Sequence, residues 1–128
     1  MILLDSSVIF DHLRGKDPKL AGLFTTLPVA VCGIVRAETL HGAKDAADRT
    51  RLIVFLGQFL HVPIPDTIWD TVGDNLCMLR THGVTVTFPD AVLATVALVN
   101  DIELWTRDAH FALVQKWLSA LKLFQEPP

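Results

Sequence analysis

Five short apolar stretches, ILL, VAVCG, HVPIP, ELWT and LKLF, punctuate the chain, and helical spacing fills the intervals between them. No Asn-Gly or similar hairpin dipeptide joins any two. Strands that are apolar throughout and cannot return by tight turns must be buried on both faces and connected by crossovers. That requirement predicts an α/β fold: a three-layer arrangement with about five parallel strands between helices.

The boundaries follow from local chemistry. SSVIFDHLR places Val8, Ile9 and Leu13 at helical spacing until Gly15 stops it, and Asp17 with Pro18 opens DPKLAGLFTT as a second short helix. Residues 34–47 read as a third helix and 48–60 as a fourth. Asp66 is expected to cap a helix whose Ile68, Val72, Leu76 and Leu79 keep the period until Gly83. FPDAVLATVALV is apolar nearly all round, which marks a buried helix. DAHFALVQKWL is the last helix.

At 128 residues the chain suits a single domain, 1–128. Its longest apolar runs reach about half of what a bilayer span requires, and Met1 enters a strand with no basic stretch before it, so the cytoplasm is the expected compartment. Cys32 and Cys77 read as small buried hydrophobes, and Trp69, Trp105 and Trp117 as core. The formal net charge of −3 argues, taken alone, against a nucleic-acid partner.

Asp5, Asp90 and Asp108 each stand at an expected helix start, and Asp5 and Asp108 directly follow strands. Singly, each reads as a helix cap worth about 1 kcal/mol, and Thr87-Phe88-Pro89-Asp90 has the form of a capping box. In a parallel sheet, however, all strands end on one edge, so these carboxylates gather there and raise one another's pKa unless a cation holds them. Glu38 lies inside its helix beside Val35 and Ile34, where no capping role explains it. Oxygen ligands without paired thiolates or histidines point to Mg²⁺ or Mn²⁺ and to metal-assisted phosphodiester hydrolysis. By contrast, in the Asp66, Asp70 and Asp74 stripe Asp66 reads as a cap, and the other two oppose the apolar face and read as solvated.

The order MILLDSS, RAETLHGA, FPDAVLATVAL, LWTRDAHF resembles the PIN-domain ribonucleases, in particular the VapC toxins of toxin–antitoxin pairs, over nearly the whole chain. Asp5 matches the family's first acid, Glu38 the second in an E-x-x-x-G segment ending at Gly42, Asp90 the third in D-A-x-x-A, and Asp108 the fourth in T-x-D-x-x-F. Ser7 and Thr106 fall where the family places hydroxyls that orient the acids or water. The resemblance implies a five-stranded Rossmann-like sheet, a homodimer, Mg²⁺- or Mn²⁺-dependent cleavage of RNA with those four acids as catalytic and metal-binding groups, and neutralisation by a small VapB-like antitoxin. Two positions depart from the pattern: His110 stands where many relatives carry a further acid, and Arg36 where Thr or Ser often precedes the glutamate.

Removing the four acids from the 14 acidic residues leaves ten against 11 basic ones, so an ion-compensated cluster reconciles the negative total with RNA. Arg14, Lys16, Arg36 and Arg107 are the candidate phosphate contacts. Two alternatives remain at this level: a PIN-like protein-binding module whose acids serve as caps, and a nuclease of the same fold outside toxin–antitoxin systems.

Overall fold

A computed structural model describes residues 1–128 throughout. The elements are β1 (Ile2–Leu4), α1 (Ser6–Leu13), α2 (Lys19–Thr26), β2 (Val29–Cys32), α3 (Gly33–His41), α4 (Ala46–Leu56), β3 (Leu60–Val62), a 3₁₀ turn (Asp66–Ile68), α5 (Trp69–Thr81), α6 (Phe88–Val99), β4 (Glu103–Trp105), α7 (His110–Trp117) and β5 (Lys122–Leu123). The five strands form one sheet in the order β3-β2-β1-β4-β5, and every pairing is parallel. No helix is long and apolar enough to cross a membrane.

The sheet is short because its strands have only two to four residues, and its centre is fully covered: Leu3, Leu4, Ala30, Leu104 and Trp105 expose nothing. Helix α6 explains its own sequence, since Ala91–Ala97 are all buried where it packs among α3, α5 and β4. Its buried Thr95 donates to the Ala91 carbonyl at 2.7 Å and accepts from Asn75 Nδ2 at 3.0 Å, so no polar group there is left unpaired.

Three helices end alike. After α1, Gly15 takes φ +69° and Lys16 N–H reaches back to the Asp11 carbonyl; after α5, Gly83 takes φ +77° and Val84 N–H reaches Leu79. After α6 the left-handed position falls to Asp101 at φ 52°, with Ile102 N–H on the Ala97 carbonyl.

The fold departs from expectation in particular places. The third helix does not run to residue 47 but stops at His41, because Asp45 Oδ1 accepts the Asp48 N–H at 2.7 Å while Asp48 Oδ2 accepts the Lys44 N–H at 2.9 Å, starting α4 at Ala46. Asp66 caps nothing; it opens the 3₁₀ turn, and α5 begins at Trp69. Cys77 is exposed rather than buried, since it lies five residues past buried Val72 and turns away from the line through Val72 and Leu79. Of the tryptophans only Trp105 is core: Trp69 stacks on exposed Phe88, and Trp117 on His82.

Candidate active site

The chain lays β2 and β3 to one side of β1, and β4 and β5 to the other. The segments leaving the carboxyl ends of β1 and β4 therefore diverge and leave a crevice between them, the place where open α/β sheets bind ligands. A cleft of about 460 Å³ lies there, lined by Asp5, Ser6, Ser7, Phe10, Asp11, Arg14, Glu38, Thr87, Asp90 and Asp108. All four sequence-selected acids meet at it, delivered by four separate segments.

Asp5 is 5% exposed and occupies the N-cap position of α1 in extended backbone, yet its side chain caps nothing. Oδ2 instead accepts from Ser7 Oγ and from Thr106 Oγ1, both at 2.7 Å. Each hydroxyl is itself oriented: Ser7 Oγ accepts the Arg107 N–H at 3.1 Å, and Thr106 Oγ1 accepts the Asp108 N–H at 3.0 Å. With the acceptor side of each oxygen taken by a backbone N–H, each proton points to the carboxylate. Both bonds fall on Oδ2, which leaves Oδ1 without a protein donor.

The other acids divide by role. Thr87, not Asp90, caps α6, its Oγ1 accepting the Asp90 N–H at 3.3 Å, so the Asp90 carboxylate is free to face the cleft. Glu38 lies half-buried in mid-α3. Burial first, then the charges of Asp5 and Asp90, holds the Glu38 carboxyl above its ordinary range. Burial and the neighbouring Asp5 likewise push Asp90 up, partly opposed by the Thr87 hydroxyl beside its carboxylate. Asp108 is exposed and does cap, accepting the His110 N–H on Oδ1 at 2.9 Å. His110, in place of a further acid, makes a 3.0 Å hydrogen bond through Nε2 with the Thr85 carbonyl.

Of the candidate phosphate contacts only Arg14 reaches the cleft, its guanidinium 5.4 Å from the Phe10 ring centre and in no ion pair. Lys16 is exposed outside it. Arg36 points into a separate pocket with Val31, Phe59 and His61. Arg107 is unavailable, because its guanidinium is held by Asp11, Asp17 and Glu126 at 3.0, 2.6 and 2.7 Å. Sequence reasoning missed Asp11, Phe10 and Thr87 as lining residues. The signal for the first two was present: with Arg14 they stand three, four and seven residues beyond Ser7, on one face of α1.

None of Asp5, Glu38, Asp90 or Asp108 is paired with a lysine or arginine, so no full positive charge in an ion pair offsets their repulsion. No three of the acidic or imidazole groups close around one point as the ligands of a fully caged ion do. An open ring of hard oxygen donors around a polar cleft suits an ion that keeps part of its water shell, as Mg²⁺ and Mn²⁺ do, and does not suit tetrahedral Zn²⁺.

Comparison with known proteins agrees with the geometry. The family model described as PIN domain matches residues 2–116. The ribonuclease VapC10 of Mycobacterium tuberculosis (strain ATCC 25618 / H37Rv) is 28% identical over 120 residues, spanning 91% of this chain and 90% of that protein. The structure of VapBC2 from Rickettsia felis, bound to a DNA fragment from its promoter, superposes with a TM-score of 0.81 at 19% identity, covering 99% of this chain and 100% of the other. That of VapBC-1 from nontypeable Haemophilus influenzae does so with a TM-score of 0.80 at 18% identity, covering 97% of each.

Proposed function

The chain belongs to the PIN-domain family, and on that premise we propose that it is a VapC-type ribonuclease, the toxin of a toxin–antitoxin pair, hydrolysing RNA phosphodiester bonds with the help of Mg²⁺ or Mn²⁺. One observation carries the reading: four carboxylates from four segments line one cleft, and no lysine or arginine is ion-paired to any of them. Caps alone do not account for it, since three of the four cap nothing.

Asp5, Asp90, Glu38 and Asp108 are the groups that would hold the ion. When bound, it supplies an acidified water nucleophile and charge neutralisation on the phosphoryl oxygens. The chain's own residues do the rest. Ser7 and Thr106 fix the Asp5 carboxylate, so no reorientation is needed when substrate arrives. Arg14, unpaired at the mouth of the cleft, is placed to take a backbone phosphate. Removing substrate from water between these groups strengthens each interaction.

A second cavity of about 660 Å³ adjoins the cleft and shares Phe10 and Arg14 with it. Leu13, Leu52 and Phe55 give it apolar lining, Lys44 and Arg51 add basic groups, and Asp48 pairs with Arg51 at 3.1 Å. It is suited to an antitoxin segment with an apolar helical face and acidic flanks, whose seat there would also cover the cleft. The reading includes a homodimer and a cytoplasmic setting.

The decisive experiment incubates purified, antitoxin-free protein with RNA and with single-stranded DNA in Mn²⁺, Mg²⁺ or excess EDTA. RNA cleavage that needs the ion and disappears in Asp5→Asn is the expected result; undiminished cleavage in EDTA overturns the mechanism. Expression alone should arrest growth, and co-expression of the antitoxin should restore it.

A further inference from the structure

Arg107 lies between two residues of the site, Thr106 and Asp108, while its own side chain points away from the cleft into a cluster the mechanism does not use. Its Nε and Nη2 both bind Glu126, at 2.9 and 2.7 Å; Nη1 binds Asp11 and Nη2 also binds Asp17. Glu126 receives a further donor, Trp105 Nε1, at 3.1 Å. The segment after β5 that carries Glu126 has no regular structure, yet it is tied down: Phe124 N–H donates to the Leu104 carbonyl at 2.8 Å, and the Phe124 ring packs 4.9 Å from Trp105.

The connectivity runs from this segment to the cleft in few steps. Glu126 fixes the Arg107 fork, and Arg107 N–H orients Ser7 Oγ, which donates to Asp5. On the same turn Thr106 donates to Asp5, and Asp108 presents its carboxylate. The fork also pairs the charge of Asp11, which lines the cleft beside the four acids and would otherwise add a fifth negative group to it. A guanidinium offers five N–H donors in a fixed plane, enough for the bidentate pair to Glu126 together with Asp11 and Asp17; an ammonium has three donors and no such fork.

We propose that Glu126 and Arg107 form a positioning latch for the active site: the segment after β5, through the Arg107 fork, sets the Thr106–Asp108 turn and with it the orientation of Asp5. This rests on the reading of the cleft as an ion-dependent ribonuclease site. Neither residue touches substrate; both act through the hydroxyls that hold Asp5.

The test compares wild type, Glu126→Gln, Arg107→Lys and a control, Leu79→Val, a core truncation at the far end of α5. Two quantities are read well below each variant's unfolding temperature: the Mn²⁺ dissociation constant by calorimetry without RNA, and kcat and KM for RNA cleavage. Disturbing groups that orient metal ligands costs roughly 10- to 100-fold in affinity or activity. Glu126→Gln is expected to weaken Mn²⁺ binding and lower kcat by about 10-fold, with KM for RNA unchanged, and Arg107→Lys to behave alike despite keeping its charge. Leu79→Val should lower the unfolding temperature without moving either quantity. If Glu126→Gln matches wild type or merely tracks the control, the latch is wrong. If wild type cleaves no RNA with Mn²⁺, the ribonuclease reading fails first and the inference falls with it.

Discussion

Two groups of acids flank the Thr106–Asp108 turn and are treated in opposite ways. On one side Asp11, Asp17 and Glu126 converge on a single guanidinium that is 22% exposed. On the other, Asp5, Glu38, Asp90 and Asp108 share a cleft without a paired cation. The contrast shows in their proton affinities: hydrogen bonds from Arg107 hold Asp17 and Glu126 below the ordinary carboxylate range, whereas burial and like charge hold Glu38 and Asp90 above it. The first arrangement stabilises the fold, and the second keeps an unmet demand for positive charge where a ligand can supply it.

Substitutions can break this contrast, beginning with the largest effect. On the proposed mechanism, Asp5→Asn or Asp90→Asn should reduce ion-dependent RNA cleavage by about 100-fold or more, measured on a fluorogenic RNA, because the loss of a metal ligand would cost several kcal/mol in the transition state. Arg107→Ala should destabilise the protein by about 2 kcal/mol in urea unfolding, since it leaves three partly buried carboxylates facing one another. The cleft should respond with the opposite sign: Glu38→Gln with Asp90→Asn should gain about 1 kcal/mol while losing activity. Wild type should gain thermal stability from millimolar Mn²⁺, and that double variant should gain little.

The pH dependence sharpens the comparison with a smaller effect. Asp17 and Glu126 bind protons less readily folded than unfolded, so their contribution is complete above the ordinary carboxylate range and fades as pH falls through their depressed folded values. Glu38 and Asp90 bind protons more readily folded, so their contribution is complete below that range and is lost as pH rises through their raised folded values. Unfolding free energy measured across mildly acidic pH should therefore fall on the alkaline side in wild type, and that fall should shrink in Glu38→Gln with Asp90→Asn. An unchanged slope would refute the cleft's electrostatics.

Much of the site was legible in the sequence because its acids sit where elements change, after β1 and β4 and at the start of α6, while Glu38 stands out by lacking any such excuse. Asp17 shows where legibility stopped. Its capping role was readable, and Oδ1 does accept the Lys19 N–H at 3.0 Å, but its other oxygen binds Arg107, 90 residues away. Arg107 itself read as a phosphate contact beside the site, and nothing local reveals that its side chain turns away. The exposure of Cys77 and Trp117 was hidden for a similar reason: a helical period fixes which residues share a face, not how far the sheet covers it.

The sequence by itself determined the parallel α/β layering, the glycine stops at Gly15 and Gly83, and the four acids in order, because strand burial, backbone φ and capping chemistry act over a few residues. Only the tertiary structure decided which acids are neutralised and which are left bare. That choice depends on where one guanidinium points, and it is made by Asp11 and Asp17, 96 and 90 residues before Arg107, meeting Glu126 from the segment after β5.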